Sequence, residues 1–362
     1  MGICDIINLS IKFDGRDIVD IVNQKIIQAV IDKANKVCPD SLALIGVYGS
    51  VATGDDYEKS DLDLLILIED DEGLKLGTGF ILDDRKVGYD IYCTNWCGLR
   101  YDAECHHAHL SKLMDSQIVY IKNQEAYDKL CALRMKAQQF LESEGRFRRA
   151  NESLDKAKIA YANACLYEEL GQVRLEAYGV ISYLLDAVML YHGKYFKRGV
   201  KRMLEELATL PLDKVFMEII QKAVASKEVY QLRNLLKQLV LYTEGHMRTE
   251  KKIAEPSETL LGTYEEMYSN WRNKVEEAAK NADVFSSFMN MCSLHFMLSE
   301  ISKEVAIGSF PVMNEYTPDS LEDNTKIFDK YLRKYEQAYM HAGMCVKRFA
   351  NVDEFVANYL CQ

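Results

Sequence analysis

Apolar positions along the chain fall into two textures. In the first third, short apolar runs alternate with polar turns. Between Asp17 and Ala34, Ile18, Ile21, Val22, Ile26, Ala29 and Val30 recur at helical spacing and predict an amphipathic first helix. After Pro39-Asp40, residues 41–48 (SLALIGVY) read as a short apolar strand. Residues 62–68 and 86–93 read as a second and a third strand, with a glycine-containing hairpin at 70–79 between them, and residues 118–121 as a short fourth. From about Gln124 the spacing turns helical almost to the end. Helices are predicted over 126–143, 152–170, 173–192, 197–209, 213–226, 228–248, 257–280, 283–305 and 323–350, and four of the five prolines (211, 256, 311, 318) fall between them. Residues 180–189 (VISYLLDAVM) are apolar on most sides, as in a helix enclosed by a bundle, and 309–320 read as a loop. The pattern predicts an α+β chain: a small mixed-sheet domain over residues 1–124, then an all-helical domain over 125–362.

Composition narrows the class. A chain of 362 residues fits two domains, and 48% hydrophobic with 27% charged residues is ordinary for a globular protein with a sizeable core. No apolar run approaches the roughly 20 residues that cross a bilayer. The start has an early Asp5 and no basic region, so it reads as no signal peptide, and Ile6 stands where a myristoylation pattern after Gly2 wants Ser or Thr. Ten scattered cysteines, several inside apolar helical patterns (Cys131, Cys165, Cys292), suit reduced, buried thiols in the cytoplasm. A net charge of −11 disfavours a long nucleic acid as partner and suits a neutral or cationic small molecule.

The segment that carries chemistry begins at Gly46 and runs through Gly49-Ser50 to Asp61-Leu62-Asp63. Residues two apart on a strand share a face, so Asp61 and Asp63 lie side by side while Leu62, Leu64, Ile66 and Ile68 point into a core. Paired carboxylates repel one another unless a cation lies between them, and magnesium, with its hard oxygen ligands, answers that need. Asp90 sits on another apolar strand, opposite Val87, Tyr89 and Ile91; if that strand pairs with the second, three aspartates converge on a two-metal site. Gly49 permits close backbone approach to phosphate, and the amides opening a short helix after it, with the Ser50 hydroxyl, favour an anion.

A strand, Gly-Ser, ten residues, an Asp-x-Asp flanked by aliphatics and a third Asp on a later strand resemble the nucleotidyltransferase superfamily related to DNA polymerase beta. Within it the chain is similar to the small bacterial aminoglycoside and lincosamide nucleotidyltransferases, which also attach a helical bundle behind a minimal catalytic domain. The motifs cover residues 46–93, about an eighth of the chain. The resemblance implies that Gly49 and Ser50 hold a triphosphate, that Asp61 and Asp63 bind Mg2+, and that Asp90 is a third ligand or the base. It further implies transfer of a nucleoside monophosphate, AMP from ATP first among the choices, to a hydroxyl of a small acceptor such as an aminoglycoside, in a cleft between the two domains. Adenylylation of a protein partner and a non-catalytic nucleotide-binding module are the alternatives.

Weaker signals stand beside this one. Lys194, Arg198 and Lys201 recur at i, i+4 and i+7, which places them on one face of the helix predicted over 197–209 and its approach. That face either neutralises the departing pyrophosphate or is a solvated surface balanced by Glu205 and Glu206. Cys93, Cys97, Cys105, His106, His107 and His109 have zinc-type chemistries, but their spacing fits no standard finger, and ordinary packing with the histidines at a helix start is the better reading. Glu168, Glu169 and Glu176 at helix ends and Tyr183, Tyr191, Tyr195 and Phe196 as pocket lining are read first as surface and core.

Overall fold

The computed structural model describes residues 12–13, 16–17, 20–57, 59–247 and 259–360. Two compact units emerge, residues 1–248 and 249–362. The 124/125 division expected from the change of texture lies inside the first unit, because one hydrophobic core joins a face of the sheet to the helices that follow it. Ile18, Arg248, Pro256, Ser257 and the start of the chain, where neither a signal peptide nor a myristoylation pattern is read, lie outside the described residues.

Helix α1 (Ile21–Val37) starts where the Asp20 carboxylate accepts from the Asn23 amide at 2.7 Å, and it buries Ile27, Val30, Ile31 and Ala34. Strand β3 (Leu42–Tyr48) follows the short pair β1 (Lys12–Phe13) and β2 (Arg16–Asp17). It leads through α2 (Gly49–Thr53) to β4 (Asp63–Ile68), with which it pairs antiparallel so that Tyr48 faces Asp63. With β7 (Cys93–Asn95) and β8 (Gln117–Ile121) these form a four-stranded sheet in the order β7-β4-β3-β8, parallel only between β4 and β7. The mixed sheet is therefore present.

Its third predicted strand is built differently. Residues 86–93 split into β6 (Val87–Ile91) and the start of β7, and β6 pairs with β5 (Thr78–Leu82) as a separate hairpin rather than with β4. A 3-10 turn (Asp71–Leu76) separates β4 from β5, and the alternating burial of β6 needs cover on one side only, supplied where Val87, Tyr89 and Ile91 join the core under α1.

Both sheet faces are covered. Leu64, Ile66 and Ile68 lie towards α1, whereas Leu65 and Leu67 lie towards α3 (Trp96–Ala103) and the later helices. After α4 (Ser111–Met114) and β8 come α5 (Gln124–Glu142), α6 (Gly145–Leu166) and α7 (Leu170–Tyr191). Small residues let α6 and α7 approach closely: a Cβ on Gly179 would touch that of Ala160 at 3.4 Å. Residues 184–190 of α7 are buried in succession, as the apolar run predicted. The helix predicted over 197–209 shrinks to a 3-10 turn (Val200–Arg202) and α8 (Met203–Leu207). Gly193, at φ +64, ends α7, and the chain then runs extended because Phe196 is buried and donates its amide to the Ala108 carbonyl at 2.8 Å. Helices α9 (Lys214–Val224) and α10 (Val229–His246) complete the unit.

The second unit packs a helix over 263–280, with one π turn at Tyr268–Arg272, against Val284–Glu304 and Leu321–His341 around Phe328, Tyr335 and Tyr339. The helix predicted over 323–350 stops at His341, where Gly343 takes φ +81, and Val352–Leu360 is a separate, exposed helix. Cys165 is exposed and Cys131 and Cys292 are half-buried, so these thiols are less enclosed than their apolar neighbours suggested. Among the described residues no helix is long and apolar enough to cross a membrane.

Candidate functional site

The Gly-Ser turn and the aspartate pair meet at one end of the sheet. Asp63 opens β4 and has the parity of Leu65 and Leu67, so it points to the helical side, next to its cross-strand partner Tyr48. Gly49 has φ +69, and a Cβ there would lie 1.9 Å from Asp63 Oδ2. The glycine is thus required twice, for its backbone and for the carboxylate packed on it. The Ser50 amide donates to Asp63. Burial first, then the charge of Asp61, push the Asp63 pKa up to about 6, and the Ser50 amide partly opposes them. Tyr48 is pushed up to about 12 by burial and then by the charges of Asp63, Asp102, Asp61 and Asp90.

Asp90 lies on the exposed face of β6 and shares with Asp61 an open cavity of about 620 Å³, whose lining includes Phe80 and Tyr89, their rings stacked at 5.2 Å. The hairpin, not a pairing of β6 with β4, brings Asp90 there. Among the described residues no three His, Cys, Asp or Glu side chains form a ready-made metal cage. An oxygen-only pair beside a third, separate carboxylate fits magnesium, which usually takes one or two protein carboxylates and completes its shell with phosphate and water.

Lys194, Arg198 and Lys201 do not share a helical face, because only Lys201 lies in a helical turn. Lys194 follows the α7 terminus, its amide bonded to the Met189 carbonyl at 2.8 Å. Arg198 Nε lies 3.5 Å from an Asp55 oxygen, and the Lys201 ammonium lies 5.6 Å from the centre of the Tyr57 ring. Tertiary folding therefore brings Arg198 and Lys201 to the segment just after Ser50, by a route that helical spacing did not anticipate.

Three enclosed carboxylates outside the motif were not singled out from the sequence. Asp102, at the end of α3, is buried; burial alone would raise its pKa, but a bond to His107 at 3.2 Å and the charge of Lys112 at 3.2 Å hold it below the usual carboxylate range. Asp186 is buried on α7, its pKa raised by burial although it accepts the Ala108 amide at 2.9 Å. A carboxylate inside an apolar run was the signal available for it. Asp115, also raised by burial, accepts the Tyr195 hydroxyl at 2.9 Å. His106, His107 and His109 lie in the turn between α3 and α4, not at a helix start, and His107 and His109 answer to Asp102 and Asp186. Glu168 and Glu169 are exposed where α6 joins α7, and Glu176 is half-buried.

Residues 24–119 match the family model of the nucleotidyltransferase domain, a span that runs from α1 into β8 and contains the Gly-Ser turn and all three aspartates. The chain thus carries a nucleotidyltransferase domain, and its enzymatic class is nucleotidyl transfer. No curated protein matches it in sequence. Among solved structures it is similar to a nucleotidyltransferase-like protein from Exiguobacterium sibiricum 255-15, with 14% identity and a TM-score of 0.35 over 62% of this chain and 77% of that one.

Proposed function

We propose that this chain transfers a nucleoside monophosphate, AMP from ATP first among the candidates, to a hydroxyl of a small molecule such as an aminoglycoside-like antibiotic, releasing pyrophosphate. The observation that carries this reading is the Asp61–Asp63 pair set against the Gly49–Ser50 turn, with the Ser50 amide on Asp63 and the Asp63 pKa raised. Asp61 and Asp63, with Asp90 across the cavity, are the residues that would hold magnesium, which when bound neutralises polyphosphate charge and acidifies an attacking hydroxyl. Gly49 lets the Asp63 carboxylate pack against the turn, and the Ser50 hydroxyl would donate to a phosphate beside it. Arg198 and Lys201, beside Asp55 and Tyr57, stabilise charge on the departing pyrophosphate, with Lys194 at the start of the same strap, residues 194–202 between α7 and α8.

In this reading residues 1–124 hold the nucleotide, and the helices of the first unit that follow, α5 to α10, shape the acceptor site and cover it. Free thiols at the described cysteines support a reducing compartment, the cytoplasm. The test is incubation with magnesium and labelled ATP, GTP, CTP or UTP against a panel of aminoglycosides and other polyols. Label on an acceptor with matching pyrophosphate release is expected; its absence with all four nucleotides and every acceptor would sink the reading.

A further inference from the structure

Asp55 sits at the exit of the phosphate turn. Gly54 (φ +70) reverses the chain after α2, the Asp55 amide returns to the Ser50 carbonyl at 3.0 Å, and Thr53 Oγ1 donates to Asp55 Oδ2 at 3.2 Å. Two arginines of the strap reach this carboxylate, one for each oxygen: Arg198 Nε at 3.5 Å from Oδ2 and Arg202 Nε at 3.5 Å from Oδ1. Both contacts are ion pairs longer than a charge-assisted hydrogen bond. Arg202 Nε is buried yet makes no hydrogen bond, a donor that has lost water without gaining an acceptor. The backbone behind them is fixed independently, since Glu206 accepts the amides of Lys197 and Arg198 at 2.9 and 2.8 Å. Glu205 holds the far ends of both side chains, accepting from Arg202 Nη1 at 2.6 Å and lying 3.5 Å from Arg198 Nη1, so it is the Nε edges facing Asp55 that lack a short hydrogen bond.

We infer that Arg198 and Arg202 are polyphosphate ligands, that Asp55 occupies them in place of phosphate, and that Asp55 thereby sets how tightly nucleotide binds. The inference rests on the polyphosphate reading of the Gly49–Ser50 turn. A phosphate tail offers the planar guanidinium groups several oxygens in bidentate geometry, which a single carboxylate at 3.5 Å does not. As the arginines turn to phosphate, Asp55 loses its counter-charge and opposes the incoming anion. Its charge therefore works against binding twice, by competing for the arginines and by repelling the ligand.

The experiment is calorimetric titration of the full chain with magnesium tripolyphosphate and with the four magnesium nucleoside triphosphates. Asp55→Asn, which keeps shape and loses charge, is expected to tighten binding by about fivefold, the size of one or two exposed ion pairs. Asp55→Glu is expected to stay near wild type, and Arg202→Met to abolish the gain when combined with Asp55→Asn. Unchanged or weaker binding by Asp55→Asn, in a protein whose wild type binds nucleotide, overturns the inference and leaves the proposed function standing; weaker binding would mark Asp55 as a residue that merely positions the arginines. Binding by neither wild type nor any variant overturns both. Melting curves check that each variant is folded, and Asp55→Ser replaces Asp55→Asn if the latter is not.

Discussion

At the residue scale, Asp63 is where stability and the proposed activity oppose each other. Its carboxylate is half-buried beside Asp61, so the ionised form costs the folded state. Its pKa rises from 3.8 to about 6 on folding, so the penalty is complete above the folded value, is relieved as pH falls between the two, and is gone below 3.8. Asp63→Asn keeps an oxygen to accept the Ser50 amide and removes the charge. The variant is expected to lose at least about a hundredfold in turnover. In the presence of a chelator it should be as stable as wild type at neutral pH or more so, by about 1 kcal/mol after solvent screening, with the difference vanishing in acid. Turnover and urea unfolding at two pH values check both halves, and a variant that retains most activity contradicts the metal-ligand role. The Asp-x-Asp spacing was legible in the sequence because strand alternation is local. That Gly49 must lack a Cβ because Asp63 fills its place was not, since the two residues meet only across the β3–β4 ladder.

At the element scale, two helix ends meet in a histidine pair. His192 follows α7 and His246 closes α10, and their Nε2 atoms lie 2.9 Å apart among Tyr191, Tyr242 and Arg146. One ring must donate and the other accept, so the contact needs at least one neutral partner. Burial, then His246 and Arg146, lower the pKa of His192, and burial lowers that of His246. A histidine whose folded pKa is lowered contributes stability that is present above its ordinary value of 6.5 and lost as pH falls below it. Unfolding by urea between pH 7.5 and 5.5 is expected to show this loss in the wild type and a shallower one in His192→Asn; equal slopes would count against the pair. The same scale explains the misplaced helix over 197–209. Its charge periodicity was genuine, but periodicity of charged residues buries nothing, and the Phe196 anchor with the Gly193 turn overrode it.

At the scale of the whole molecule, the first unit sets Arg198 beside the residues that follow the Gly49–Ser50 turn and joins the sheet to the helices that carry the buried Asp102 and Asp186. A ligand that binds only this folded arrangement must stabilise it by mass action, about 2.7 kcal/mol at one hundred times its dissociation constant. Magnesium with a non-hydrolysable triphosphate is therefore expected to raise the melting temperature, magnesium alone much less, and chelator should cancel the shift. Scanning fluorimetry with the four nucleotides at millimolar concentration checks this, and no shift with any of them would count against nucleotide binding at this site.

The sequence by itself determined the two textures of the chain, three of the four strands of the sheet (β3, β4 and β8) and the positions of Gly49, Ser50, Asp61, Asp63 and Asp90, because each follows from local alternation, helical spacing or a short motif. Only the tertiary structure decided which strand pairs with β4, how Asp90 reaches the cavity of Asp61, and that Asp55 meets Arg198 and Arg202. Those pairings join residues far apart in the chain, where burial of Phe196 and of the alternating face of β6 sets the geometry and the local pattern of charge does not.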